Sequence, residues 1–119
     1  MTLVEVAWHA LPAVDSVPLA SEQAREAGLV VEVGVTPTSA TARGWIHGPG
    51  AEHGVIKLVA GTDHGVLVGG SAMGPAAGEL ATLLMLTIRE RIPIAALREL
   101  IYPYPTFVRG VEDALRRLP

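Results

Sequence analysis

Hydrophobic residues alternate with polar ones early in this chain and crowd together later. Leu3, Val4, Val6 and Trp8 are set around Glu5, a spacing that predicts a strand over LVEVAW. A second extended piece is expected through VDSVPL. Ser21 then offers an N-cap to EQAREAG, and Gly28 supplies a stop, which predicts a short and mostly solvated helix. LVVEVGV is dense in β-branched residues and ends at Thr36–Pro37, as a strand would. Residues 38–53 are small, polar and rich in Gly and Pro, so a loop with one helical turn is expected there. GVIKLVA and VLVGGSAM flank the Gly-bounded turn GTDHG and predict a hairpin.

The second half changes character. Gly74–Pro75 stands where an N-cap and a first helical residue belong, and AAGELATLLMLTIRER continues without a breaker to Pro93. Leu80, Leu83, Leu84, Met85, Leu86 and Ile88 cover nearly the whole circumference of that helix. A helix apolar all round must be buried all round, and one small domain covers roughly one side, so the other side wants a partner. Ile94 to Leu100 adds a further helical turn or two. Thr106 can then cap FVRGVEDALRRL, where Phe107, Val111, Leu115 and Leu118 recur at helical spacing. Arg116 and Arg117 close the end of that helix where its dipole favours cations. The order predicts one α+β domain over residues 1–119, a small antiparallel β-sheet with helices packed on one side.

Composition sharpens the need for a partner. The chain has 119 residues, half of them hydrophobic, and a mean hydropathy of +0.40, which is rich for a domain standing alone. Net charge is −3 with a pI near 5.7, and no Lys/Arg block occurs, so the electrostatic footprint of a nucleic-acid binder is missing. The lack of cysteine removes disulfides, thiol catalysis and cysteine-bound zinc, and fits a cytoplasmic setting. No signal peptide is recognisable. The longest uncharged apolar run, Leu80–Ile88, falls far short of the ~20 residues that span a bilayer, so no membrane partner is expected.

Little in the chain reads as a self-sufficient active site. His9, His47, His53 and His64 make none of the spacings HxxxH, HxH or HExxH, and no metal site is expected. GPGAEHG is one residue too long for GxGxxG and no helix follows it. Gly69, Gly70 and Ser71 miss GxSxG because Met73 replaces the last glycine. Glu79 lies early in the greasy helix, where a helix N-terminus favours a carboxylate on its own account. The exception is YPYPT. Both tyrosines and the one phenylalanine fall between Tyr102 and Phe107, and a proline after each tyrosine excludes helix there. Such a stiff corner suits a segment inserted into another subunit's cleft, or a packing corner between two helices.

Taken in order, the run HGVIKLVAGTDHGVLVGGSAMGPAAGELATLLMLTIRERIPIAALRELIYPYPTFVRGVEDAL resembles the C-terminal dimerisation domain of the pyridine nucleotide–disulfide oxidoreductases. That family includes dihydrolipoamide dehydrogenase, glutathione reductase and mercuric reductase. The resemblance rests on the hairpin between glycines, the helix start at Gly74, Pro75, Ala77, Gly78 and Glu79, and the aromatic-Pro-Thr corner; VDSVPLASEQAREAG looks like the segment that opens the domain. It implies a homodimeric flavoprotein oxidoreductase as parent, with FAD and NAD(P)H bound by N-terminal domains absent from this chain. The isolated chain would bind no cofactor and have no activity of its own.

The resemblance also implies site residues. Pro75, Glu79, Leu80, Leu83, Tyr102, Thr106 and Phe107 would line the interface, and Tyr104 with Pro105 would face the partner's flavin, Tyr104 acting in trans. The disulfide-reducing members place a histidine where Tyr104 stands and a glutamate where Arg109 stands. Tyrosine titrates near ~10, so it is a poor base at neutral pH but a good hydrogen-bond donor. The His–Glu relay therefore does not transfer, and an acceptor other than a common disulfide is expected. A cis Tyr104–Pro105 bond is a further expectation. Two rivals remain at this point: a stand-alone homodimeric binding module of the same fold without redox activity, and a small enzyme using Tyr104 with a histidine in hydrogen-bond reach.

Overall fold

The computed structural model describes residues 3–6, 21–26, 28–47, 54–74 and 76–119, of which 3–6 and 21–23 are described by their backbone alone. VDSVPL, Trp8, His9, His53 and Pro75 lie outside the described residues. In chain order the elements are β1 (Leu3–Val6), α1 (Ser21–Glu26), β2 (Val31–Pro37), a 3-10 turn (Thr38–Ala40), α2 (Ala42–His47), β3 (Val55–Gly61), β4 (Val66–Met73), α3 (Ala77–Arg89), α4 (Ile94–Glu99) and α5 (Arg109–Arg116). The four strands form one antiparallel sheet in the order β1-β4-β3-β2. The expected hairpin is β3–β4, with Gly65 at φ +64 in its turn and a bulge in the pairing beside Val59 and Ala60.

Alternation decides which side chains meet. Ile56, Leu58 and Ala60 of β3 point to the face covered by α3, α4 and α5, and join Leu67, Leu84, Ile88, Leu97, Val111 and Leu115 in the main core. Each fully buried Leu or Ile there contributes about 1.5–3 kcal/mol relative to exposure. The opposite face carries a smaller cluster of Ala24, Val31, Val59 and Val68. So α1 is an exception to the one-sided packing of the other helices. It is also less solvated than its charges suggest, because Ala24 is fully buried.

Gly34 in β2 and Gly110 in α5 permit helix and sheet to approach closely. A Cβ on Gly34 would overlap the Ala114 carbonyl oxygen, and one on Gly110 would lie 2.6 Å from Ile56 Cδ1.

Three boundaries differ from the sequence expectation. The stretch 38–47 holds a 3-10 turn and a full helix rather than one turn in a loop. Thr41 makes the difference: its hydroxyl donates to the Thr38 carbonyl at 2.6 Å and accepts from the Gly44 amide at 3.0 Å. Secondly, α3 begins at Ala77, and Ala76, in the left-handed region at φ 62, stands at its N-cap where Gly74 was expected. Gly74 itself sits at φ +117, where a side chain would be strained.

Thirdly, α3 ends at Arg89 instead of running on to Arg91. Arg91 is left-handed at φ 52, its amide donates to the Ile88 carbonyl at 3.2 Å, and the Ile92 amide donates to the Thr87 carbonyl at 3.1 Å. That pair of bonds is a Schellman stop, made here without the glycine that usually marks it.

Candidate functional site

The YPYPT corner connects α4 to α5, and its two tyrosines have opposite fates. Tyr102 is buried in the main core and its Oη donates to the Leu97 carbonyl at 3.0 Å. Tyr104 is 66% exposed, and among the described residues its hydroxyl makes no hydrogen bond. The Tyr104–Pro105 bond is cis, as expected. Thr106 organises the exit. Its hydroxyl donates to the Pro103 carbonyl at 2.6 Å and accepts from the Arg109 amide at 3.3 Å, so it caps the turn that leads into α5. The corner therefore packs between α4 and α5 through Tyr102 and leaves Tyr104 exposed.

Arg109 holds the presented ring. Its guanidinium carbon lies 4.8 Å from the Tyr104 ring centroid, within the range of a cation–π contact. Glu112 orients that guanidinium from 3.8 Å and is itself held by Arg116 at 3.0 Å. The corner thus offers a phenol and a guanidinium, both hydrogen-bond donors, while the Glu112 carboxylate behind them is engaged by Arg109 and Arg116. Sequence reasoning noticed Arg109 as a replacement but missed its contact with Tyr104; the spacing of five residues across a cap hides it. Phe107 is half-buried, edge-on to His47 at 5.5 Å and beneath Arg43 at 5.6 Å. Neither described histidine, His47 or His64, bonds to Tyr104, and no group of three potential metal ligands occurs among the described residues.

Burial of its phenol, with the negative charge of Glu112 second, pushes the Tyr102 pKa above its ordinary 10.0. A raised folded pKa stabilises the fold fully below pH 10, and that contribution is lost as pH rises through the folded value, because the unfolded chain releases its proton first. Tyr102→Phe is expected to cost about 1 kcal/mol at neutral pH, since it removes the stronger of the two bonds to the Leu97 carbonyl and leaves only the Leu100 amide at 3.4 Å. It should also flatten the decline in stability above pH 10, as measured by chemical denaturation across that range.

The greasy helix α3 is partly hidden by its own chain. Leu80, Leu84 and Ile88 are buried, Leu80 at 5% exposure, so Leu80 and Tyr102 belong to the internal core and offer little side chain to an interface. The physical reason is register: Leu80, Leu84 and Ile88 recur every four residues and face the sheet. Leu83 is half-buried, while Glu79, Met85 and Leu86 are exposed. Leu86 lies one turn from Leu83 on the outer side. Leu100 and Ile101, just before the corner, are also exposed, Ile101 at 96%. An apolar residue before Tyr-Pro, outside any helix, was the sequence signal for Ile101.

Comparison with known proteins fits this arrangement. The family model described as pyridine nucleotide-disulphide oxidoreductase, dimerisation domain, matches residues 5–115. The chain belongs to that family. Among relatives of this dimerisation domain, the dihydrolipoyl dehydrogenase of Thermus scotoductus is 38% identical over 102 residues, covering 86% of this chain and 22% of the relative. The mercuric reductase of Acidithiobacillus ferrooxidans is 41% identical over 61 residues, 51% of this chain and 11% of the relative. Among solved structures, the HOCl-induced flavoprotein disulfide reductase RclA from Escherichia coli superposes with a TM-score of 0.75 at 22% identity, covering 82% of this chain and 22% of that one. LpdA from Mycobacterium tuberculosis does so with the same TM-score and identity, covering 83% and 21%. The chain therefore spans about a fifth of the length of the dihydrolipoyl dehydrogenase and of the two solved structures, and its match covers about a ninth of the mercuric reductase. Among the described residues, no helix is long and apolar enough to cross a membrane.

Proposed function

We propose that this domain joins two copies of an FAD-dependent NAD(P)H oxidoreductase and extends its corner toward the flavin and redox centre of the opposite subunit. The observation that carries the reading is the exposure of the apolar residues Leu86, Leu100 and Ile101, the last two shortly before an exposed, braced Tyr104 in the chain. Leu83, Leu86, Leu100 and Ile101 would meet the second copy, with Glu79, Thr106 and Phe107 toward the edges of that contact. Names among the relatives, dihydrolipoyl dehydrogenase, mercuric reductase and flavoprotein disulfide reductase, support a redox parent.

Within such a site Tyr104 would act as a donor. A phenol beside a guanidinium stabilises negative charge that develops on an acceptor and does not draw a proton from a thiol. This favours an acceptor other than a dithiol or common disulfide. FAD and NAD(P)H would be held by the parent's own binding domains, and FAD would supply the electron transfer. From this chain, Tyr104 and Pro105 would face it.

The protein carrying this domain, purified from its natural source, is expected to be yellow and to lose its visible flavin absorbance when NADH or NADPH is added without oxygen. A colourless protein that is nonetheless dimeric would overturn the redox reading and leave a homodimeric binding module.

A further inference from the structure

Two hydrogen-bond donors stand unspent at the corner. The Arg109 guanidinium carbon lies 4.8 Å from the Tyr104 ring centroid, yet among the described residues neither that guanidinium nor the Tyr104 hydroxyl donates to any acceptor. Glu112 does not use up the arginine. Its Oε1 sits 3.0 Å from Arg116 and 3.8 Å from Arg109, so the hydrogen bond goes to Arg116 and Arg109 is only oriented. Among the described residues no other carboxylate lies within ion-pair distance of Arg109. Its side chain is 32% exposed, so most of it is covered and the charged head is placed in advance. Placement in advance reduces the entropy lost when a guest is bound. Arg109 is also the first residue of α5, where the helix dipole adds positive potential. A solvated surface arginine is the plain alternative, and exposed Arg117 is one; Arg109 differs in being braced by a carboxylate and held against an aromatic ring.

We propose that Tyr104 and Arg109 form a recognition point for an oxyanion, the carboxylate or phosphate of a small molecule. The guanidinium fork matches two oxygens of either group, and the phenol supplies a further donor beside it. A neutral guest leaves the charge of the arginine unanswered. The inference deepens the redox reading and rests on it only for the identity of the guest. Under that reading the anion belongs to the electron acceptor, and Arg109 selects acceptors that carry one.

Titration of the 119-residue chain with benzoate and with phenyl phosphate, at constant ionic strength, tests it through the Arg109 Nε–H and Tyr104 ring resonances. Saturable shifts at both residues are expected, the tighter anion naming the group of the guest, with none from benzyl alcohol at equal concentration. Arg109→Gln should weaken binding by at least about tenfold and Tyr104→Phe by about threefold. Arg117→Gln, at an exposed arginine elsewhere on α5's end, should leave it unchanged. Shifts that do not saturate, that benzyl alcohol matches, or that Arg117→Gln reduces as much as Arg109→Gln would overturn the proposal. So would binding to the chain that disappears in the flavin-loaded parent, since the parent itself would then fill the pair. A colourless parent whose domain still binds the anions would remove the redox reading and leave this site standing.

Discussion

Leu86→Asp combined with Ile101→Asp is expected to give a folded monomer at concentrations where the unaltered chain is a dimer. Both side chains face solvent in the single chain, at 55% and 96% exposure, so a carboxylate at either place costs the monomer little. In the proposed dimer both would be covered. An ionised carboxylate taken from water without a partner costs several kcal/mol, and two-fold symmetry doubles the number buried. Self-association should weaken by at least about a hundredfold, about 2.7 kcal/mol. Sedimentation across a concentration series reads the effect, and far-ultraviolet circular dichroism confirms that the fold survives. A dimer of unchanged affinity would remove this face from the interface.

Gly34→Val should destabilise the fold by about 3 kcal/mol or more, against what local preference suggests. Valine suits a strand better than glycine by up to about 1 kcal/mol, so a reading of β2 alone expects improvement. But Gly34 lies under α5. A Cβ there would overlap the Ala114 carbonyl oxygen and sit 3.2 Å from Leu118 Cγ, and valine adds two further methyls. Backbone cannot swing aside as a side chain does, so α5 must lift from the sheet, and overpacking of this kind typically costs 1–3 kcal/mol or more. A melting temperature lowered by on the order of 10 °C is expected at fixed protein concentration. An unchanged or raised value would show that α5 does not press on β2 as described.

Sequence reading works where the signal is local. The β3–β4 hairpin was legible because Gly61, Asp63 and Gly65 punctuate two β-rich runs. The capping role of Thr106 was legible because a hydroxyl followed by an amphipathic stretch is a local signal. Family likeness was legible in the ordered run from His53 to Leu115. By contrast, Leu80 and Leu86 look alike in sequence, and only packing on the sheet separates the buried leucine from the exposed one. The end of α3 was overshot because the Schellman stop uses Arg91, a residue that carries no stop signal. The contact between Arg109 and Tyr104 joins residues on opposite sides of a cap, and neither helical nor strand spacing foretells it.

The strand order β1-β4-β3-β2 bears on how the sheet is made during synthesis. Strands β2, β3 and β4 pair with neighbours in the chain and can zip as each leaves the ribosome. The first strand pairs only with β4, Leu3 opposite Met73, so it waits with open edges until β4 has been made. Glu5, midway along that strand, places a charge on the waiting segment, a simple guard against mispairing before its true neighbour arrives.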